Sequence, residues 1–167
     1  MREINARIRS LTKKDYAVLT VFVTGHQLIA YILGVLTRNQ IDSWYNLLDK
    51  PFLTPPDIVF AIAWTFLYLL ISLSGWLLYL NRANEDIRGA SKIFILQLLV
   101  NWSWTLIFFV FHFILAGAIW TLGLVILVGW TIARCWSVSK AASLLLVPYF
   151  LWIIFAFYLN FMIWLLN

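Results

Sequence analysis

Trp64, Trp104 and Trp152 each lie inside a long apolar run, about two turns or more from its nearer end. An indole N–H at such a place has no water to bond and needs a partner. Each belongs to a stripe at helical spacing. The first stripe is Phe60, Trp64, Leu67, Tyr68 and Ile71. The second is Gln97, Asn101, Trp104 and Phe108. The third is Pro148, Trp152, Ala156, Leu159 and Asn160. Ala156 leaves room beside Trp152, and Pro148 can bend its helix and free a carbonyl. Together the stripes offer aromatic faces, indole donors and a few amides. That mixture suits a flat, apolar ligand with polar edges. Trp44 and Tyr45, in a polar stretch before the first stripe, could hang over such a pocket as a lid. The plainer explanation is packing, since Asn and Gln commonly bond one membrane helix to the next. Spacing alone leaves both open.

Other chemistry is sparse. No paired carboxylates, nucleophile–base set or Gly-rich phosphate loop is present. Cys135 is the single cysteine, so no intrachain disulfide can form. One Cys with two His does not make a zinc site of the usual four protein ligands, and no metal is expected. His26 sits within an apolar run, where a titratable side chain is either bonded to a neighbouring helix or takes a ligand or proton. His112 falls at an expected turn, and Asp57 in a first helical turn suits the positive helix end.

The elements that carry these residues follow from composition. The 167 residues are 63% hydrophobic and 11% charged, against roughly 25% charged in soluble domains. A bilayer crossing takes about 20 apolar residues, so the length allows about five. The apolar pattern predicts helices over 16–36, 56–80, 93–111, 116–136 and 141–166. The fold expected is an all-α membrane protein, a bundle of five transmembrane helices forming one domain over residues 1–167. Thr54 is placed to cap the second helix, followed by Pro55 and Pro56. Residues 1–15 are basic, and Ile4, Ile8 and Leu11 could lay a short helix over residues 2–13 on the membrane surface. The following run is too long for a signal peptide, so it reads as a retained helix.

Orientation follows from Lys and Arg. Arg2, Arg7, Arg9, Lys13, Lys14, Arg82, Arg88, Lys92, Arg134 and Lys140 share one side; Arg38 and Lys50, the remaining two of twelve, lie on the other. This predicts a cytoplasmic N-terminus and an outer C-terminus. The basic residues flank apolar runs and form no single patch, which argues against a nucleic acid partner. Membrane lipid is the expected surrounding. Gly129 and Ala133 make a small-xxx-small pair on which two copies could meet as a homodimer.

The segment Trp44-Tyr45, Leu47, Leu48, Lys50-Pro51, Thr54-Pro55-Pro56, followed by Phe60 and Trp64, resembles the signature of the tryptophan-rich sensory protein family (TspO, also called translocator protein or peripheral-type benzodiazepine receptor). Asn101-Trp102-x-Trp104 with Phe108-Phe109 is similar to its third helix, and Pro148-Tyr149, Trp152, Ala156 and Leu159-Asn160 to its fifth. The resemblance spans helices two to five and the first outer loop. It implies a receptor for porphyrins and other tetrapyrroles, such as protoporphyrin IX or haem held without a covalent bond. It also implies binding of isoquinoline-carboxamide and benzodiazepine-type molecules, and of sterol in some members. By this resemblance Trp64 and Asn101 would contact a ligand carbonyl, and Tyr45, Phe60, Trp104, Trp152 and Ala156 would line the pocket. Trp64 and Trp152 would match the pair tied to light-dependent porphyrin breakdown, so catalysis, if any, would be photochemical.

Two departures bear on this. Leu53 stands where the family often has Trp before Thr-Pro-Pro. The stretch from Phe161 to Asn167 has no Lys or Arg, so a sterol motif that ends in a basic residue cannot be completed there. Rival readings are a transporter of porphyrin or lipid-like molecules, a porphyrin-degrading enzyme, and a purely structural membrane protein. A bacterial cytoplasmic membrane is the expected location.

Overall fold

Thr12 opens the first helix, α1 (Lys13–Ile41), with a reciprocal cap. Its Oγ1 accepts from the Asp15 N–H at 3.3 Å, and the Asp15 carboxylate accepts from the Thr12 N–H at 2.9 Å. The computed structural model describes residues 11–167. The expected surface helix over 2–13 therefore lies largely outside the described residues. After α1 come a short 3-10 turn at Tyr45–Leu47, then α2 (Asp57–Leu80), α3 (Ile87–Thr105), α4 (Ile114–Val138), α5 (Lys140–Leu145) and α6 (Val147–Leu166). Among the described residues five spans are long and apolar enough to cross a bilayer, the last made of α5 and α6 together.

The ends differ from the hydropathy reading in instructive ways. α3 begins at Ile87, not at Ile93. Arg88, Ser91 and Lys92 are compatible with a helix in water or among headgroups, so the helix outruns its apolar stretch. Thr54 does not cap α2. Its Oγ1 donates to the Pro51 carbonyl at 2.8 Å, closing the turn before the helix, and Pro56 stands at the cap with no side-chain bond. The bend expected at Pro148 is a break at Leu146. Pro148 then occupies the second position of α6, where an amide proton has no helical acceptor. Pro148 is exposed, and Tyr149 and Ile153 are the buried residues of that turn. The third stripe therefore begins at Tyr149 and Trp152, not at Pro148.

α3 continues into a single wide turn, Leu106–Val110, where the Phe111 N–H bonds back five residues to the Leu106 carbonyl at 2.9 Å. The extra residue in that turn lets consecutive Phe108 and Phe109 both face inward, and both are buried.

The helices form a ring: α1 packs on α2, α2 on α5, α5 and α6 on α4, α4 on α3, and the end of α3 returns to α1. Lipid tails are as apolar as Leu, so close contact holds such a ring together. Gly75 admits the Phe22 ring, which would stand 2.7 Å from an added Cβ, and Gly117 admits Phe108 at 2.8 Å. Gly129 likewise faces Phe150 of α6, at 3.4 Å from an added Cβ. Gly129 is partly covered by the Phe150 ring, and Ala133 is exposed. One end gathers the start of α1 with the α2–α3 and α4–α5 turns, where Trp76 Nε1 donates to the Asp15 carbonyl at 2.9 Å and Arg82 lies 3.8 Å from the Asp15 carboxylate. At the other end Asn167 clasps Asp49 by two hydrogen bonds, each 3.0 Å.

Candidate ligand cavity

Within the ring, α2 makes little contact with α3 or α6. The gap is a cavity of about 950 Å³, within the size of small-molecule sites. A large core cluster around Tyr68, Ile71, Leu124 and Tyr149 closes it on one side. A smaller cluster of Tyr45, Phe108, Phe109 and Ile163 closes it toward the 42–56 loop.

All seven residues expected to take a ligand line this one space: Tyr45, Phe60, Trp64, Asn101, Trp104, Trp152 and Ala156. Trp64 leans on Tyr68 with ring centroids 5.5 Å apart and meets Tyr149 edge-on at 6.3 Å. Trp152 stands edge-on to Phe60 at 5.8 Å. Such offset and edge contacts fix aromatic planes without filling the space between them.

The polar atoms are few and mostly engaged. Tyr68 Oη donates to Asn101 Oδ1 at 2.8 Å. With Oδ1 occupied, what Asn101 has to offer a carbonyl is its N–H₂ group. Trp104 Nε1 donates to Asn160 Oδ1 at 3.3 Å, and Asn160 Nδ2 donates to the Ala156 carbonyl at 2.8 Å. Trp152 Nε1 is buried with no partner among the described residues, an open cost in an apolar wall. Beneath, Tyr149 Oη donates to Gln97 Oε1 at 2.9 Å, so Gln97, though on the second stripe, serves the core and not the cavity.

Tyr45 hangs from the loop into the cavity and is buried. Burial, with Asp57 adding, pushes its phenol up to about 12, so it is a neutral hydrogen-bonding group at any ordinary pH. Lys50 lies 4.4 Å over the Tyr45 ring and donates to Asn46 Oδ1 at 3.0 Å, which pins the loop from above. Asp57 lines the rim together with Arg38 and Asp42.

His26 lies outside the cavity. Its Nδ1 is 2.7 Å from the Phe22 carbonyl and 3.2 Å from Ser72 Oγ, and its ring lies against Tyr68 and Trp102. It ties α1 to α2 and stands behind the wall. Among the described residues no cluster of His, Cys, Asp or Glu could hold a metal.

Sequence reasoning missed the contribution of α1 and part of the other walls. Gln27, Ala30 and Tyr31 line the cavity, as do Thr105, Phe109 and Ile153. Asn160, one turn beyond Ala156, was legible as an amide on the third stripe. α1 gave no such signal, because only Asp15 and His26 are buried along it.

Residues 18–165 match the TspO/MBR family profile. A tryptophan-rich protein TspO from Archaeoglobus fulgidus is 41% identical over 150 residues, covering 84% of this chain and 97% of that protein. Protein CrtK from Rhodobacter capsulatus is 36% identical over 126 residues, 75% of this chain and 79% of its own. Translocator protein 2 from Canis lupus familiaris is 27% identical over 139 residues, 80% and 79% respectively. With five membrane-spanning helices around a tryptophan-lined cavity and a match over nearly its whole length, the chain belongs to the TspO/MBR family.

Proposed function

We propose that the cavity binds tetrapyrroles, protoporphyrin IX or haem being the natural probes, and that the protein acts as a membrane receptor that senses or scavenges porphyrin. One observation carries this reading. Seven residues from α2, α3, α6 and the 42–56 loop, those the family resemblance implies, line a single cavity of about 950 Å³. Its walls are indole and phenyl faces that suit a macrocycle. Asn101 supplies a donor for a polar edge. The same features would take isoquinoline-carboxamide and benzodiazepine-like molecules. The basic residues at the α1 start support an orientation with that end cytoplasmic, in a bacterial cytoplasmic membrane.

The test is quenching of tryptophan fluorescence by protoporphyrin IX in nanodiscs, with Trp64→Phe and Asn101→Ala beside the parent protein. Saturable quenching, weakened in both variants while melting stays cooperative, is expected. Linear quenching equal in all three proteins would mean that porphyrin only partitions into lipid, and would overturn the reading.

A second reading, light-dependent porphyrin breakdown, is favoured by Trp64 and Trp152 lining the same cavity. Indoles are readily oxidised beside an excited macrocycle. Loss of porphyrin absorbance under illumination, abolished by changing either Trp to Phe, would support it. Transport predicts instead a flux of porphyrin into sealed vesicles.

A further inference from the structure

His112 stands in the turn between α3 and α4 with φ 57°, the one described non-glycine residue at positive φ. The left-handed region is open to histidine more readily than to most side chains, yet at a cost glycine does not incur. The ring it presents makes two contacts with other elements. It lies face to face on the Trp44 indole, centroids 4.1 Å apart and planes 17° from parallel. Its Nε2 is 3.1 Å from Gln40 Oε1, at the end of α1. Trp44 is in turn edge-on to Phe108 at 5.4 Å and Phe109 at 6.4 Å. Its chain neighbour Tyr45 packs on the same two rings and closes the cavity.

His112 therefore joins three separate pieces at one point: the end of α1, the loop that covers the cavity, and the tip of the α3–α4 hairpin. We propose that His112 is a positioning residue for the binding site, a clasp that holds the Trp44–Tyr45 lid shut. The Trp44 indole is held by the imidazole face and by the Phe108 ring, whose plane stands at 66° to it. Letting go of one side frees the loop without touching any cavity-lining side chain, since His112 does not line the cavity. The clasp sets how often the lid opens, and so the rates at which a ligand enters and leaves. That last consequence rests on the cavity binding a ligand; the clasp itself does not.

Three variants separate its parts. His112→Gly keeps the backbone conformation and removes both contacts. His112→Asn also accepts positive φ and keeps a polar group near Gln40, but removes the stack. His112→Phe restores a ring to stack and removes the polar contact. Hydrogen–deuterium exchange of the unliganded proteins in nanodiscs is the first readout. Faster exchange of backbone amides within residues 42–53 is expected for the Gly and Asn variants, by about two- to tenfold, the range one aromatic contact supports. Exchange within α2 to α6 should be unchanged, and the Phe variant should return the loop toward the parent rate. Equal loop exchange in all four proteins would overturn the clasp, as would a general rise across the helices.

Dissociation of protoporphyrin IX, followed by stopped flow, is the second readout. It should quicken in the Gly and Asn variants and recover in the Phe variant. Faster loop exchange with an unchanged dissociation rate would overturn the role in ligand release. No saturable porphyrin binding even in the parent would count against the tetrapyrrole reading and not against the clasp, which the exchange data judge alone.

Discussion

Tyr68 Oη donates to Asn101 Oδ1 at 2.8 Å, bridging α2 and α3 at a level where the two helices otherwise stand apart around the cavity. Both side chains are buried. Removing one partner leaves the other unsatisfied in an apolar wall, at about 1–3 kcal/mol. Asn101→Leu and Tyr68→Phe should each destabilise by that amount. The double variant should lose less than the sum, because neither orphan then remains. Denaturant unfolding of the four proteins measures this. Strict additivity would show that the bond adds nothing to the separate packing of the two residues.

Two of the three cavity indoles, Trp104 and Trp152, should respond oppositely to loss of their N–H. Trp104 Nε1 donates to Asn160 Oδ1, so Trp104→Phe takes a partner from a buried amide and should lower the melting temperature. Trp152 Nε1 is buried without a partner among the described residues, so Trp152→Phe removes an unsatisfied donor and should leave stability equal or higher. Thermal melts without ligand would show the difference. A larger loss for Trp152→Phe would mean that its N–H is satisfied in the membrane by water or lipid.

Glycines of α4 offer a paired test of close packing. An added Cβ at Gly117 would stand 2.8 Å from the Phe108 ring and 3.3 Å from Asn160 Oδ1, while Gly123 has nothing within 4 Å. Gly117→Ala should cost about 1–3 kcal/mol, as overpacking does, and should weaken any ligand that touches the Phe108 wall. Gly123→Ala should be neutral or stabilising by up to about 1 kcal/mol, since Ala is the better helix former. Melting shifts of the same sign in both would remove the packing argument.

Much of the bundle was legible because a bilayer reads the chain one segment at a time. Each span must be apolar and helical on its own account, whatever its neighbours. Trp64, Asn101, Trp104 and Trp152 likewise stood out, since a polar or bulky group at helical spacing inside an apolar run has few reasons to be there, whereas Ala156 was singled out only by the room it leaves beside Trp152 and by the family resemblance. Helix ends were less so. Hydropathy marks where lipid begins, and α3 extends past that limit through Arg88 and Lys92.

The sequence by itself determined five apolar helices, the aromatic and amide stripes on three of them, and which connections bear the positive charge. These follow from local rules, a period of 3.6 residues and the cost of unpaired backbone in hydrocarbon. Tertiary structure alone decided that α1 supplies a cavity wall through Gln27 and Ala30, because its contribution comes from where it docks and not from a stripe of its own. It alone decided that Pro148 faces out, since a break at Leu146 resets which residues of the last span turn inward. It also paired Tyr68 with Asn101 and His112 with Trp44. Partners 33 and 68 residues apart share no local pattern (101 − 68 and 112 − 44), and only the packing of the ring brings them within reach.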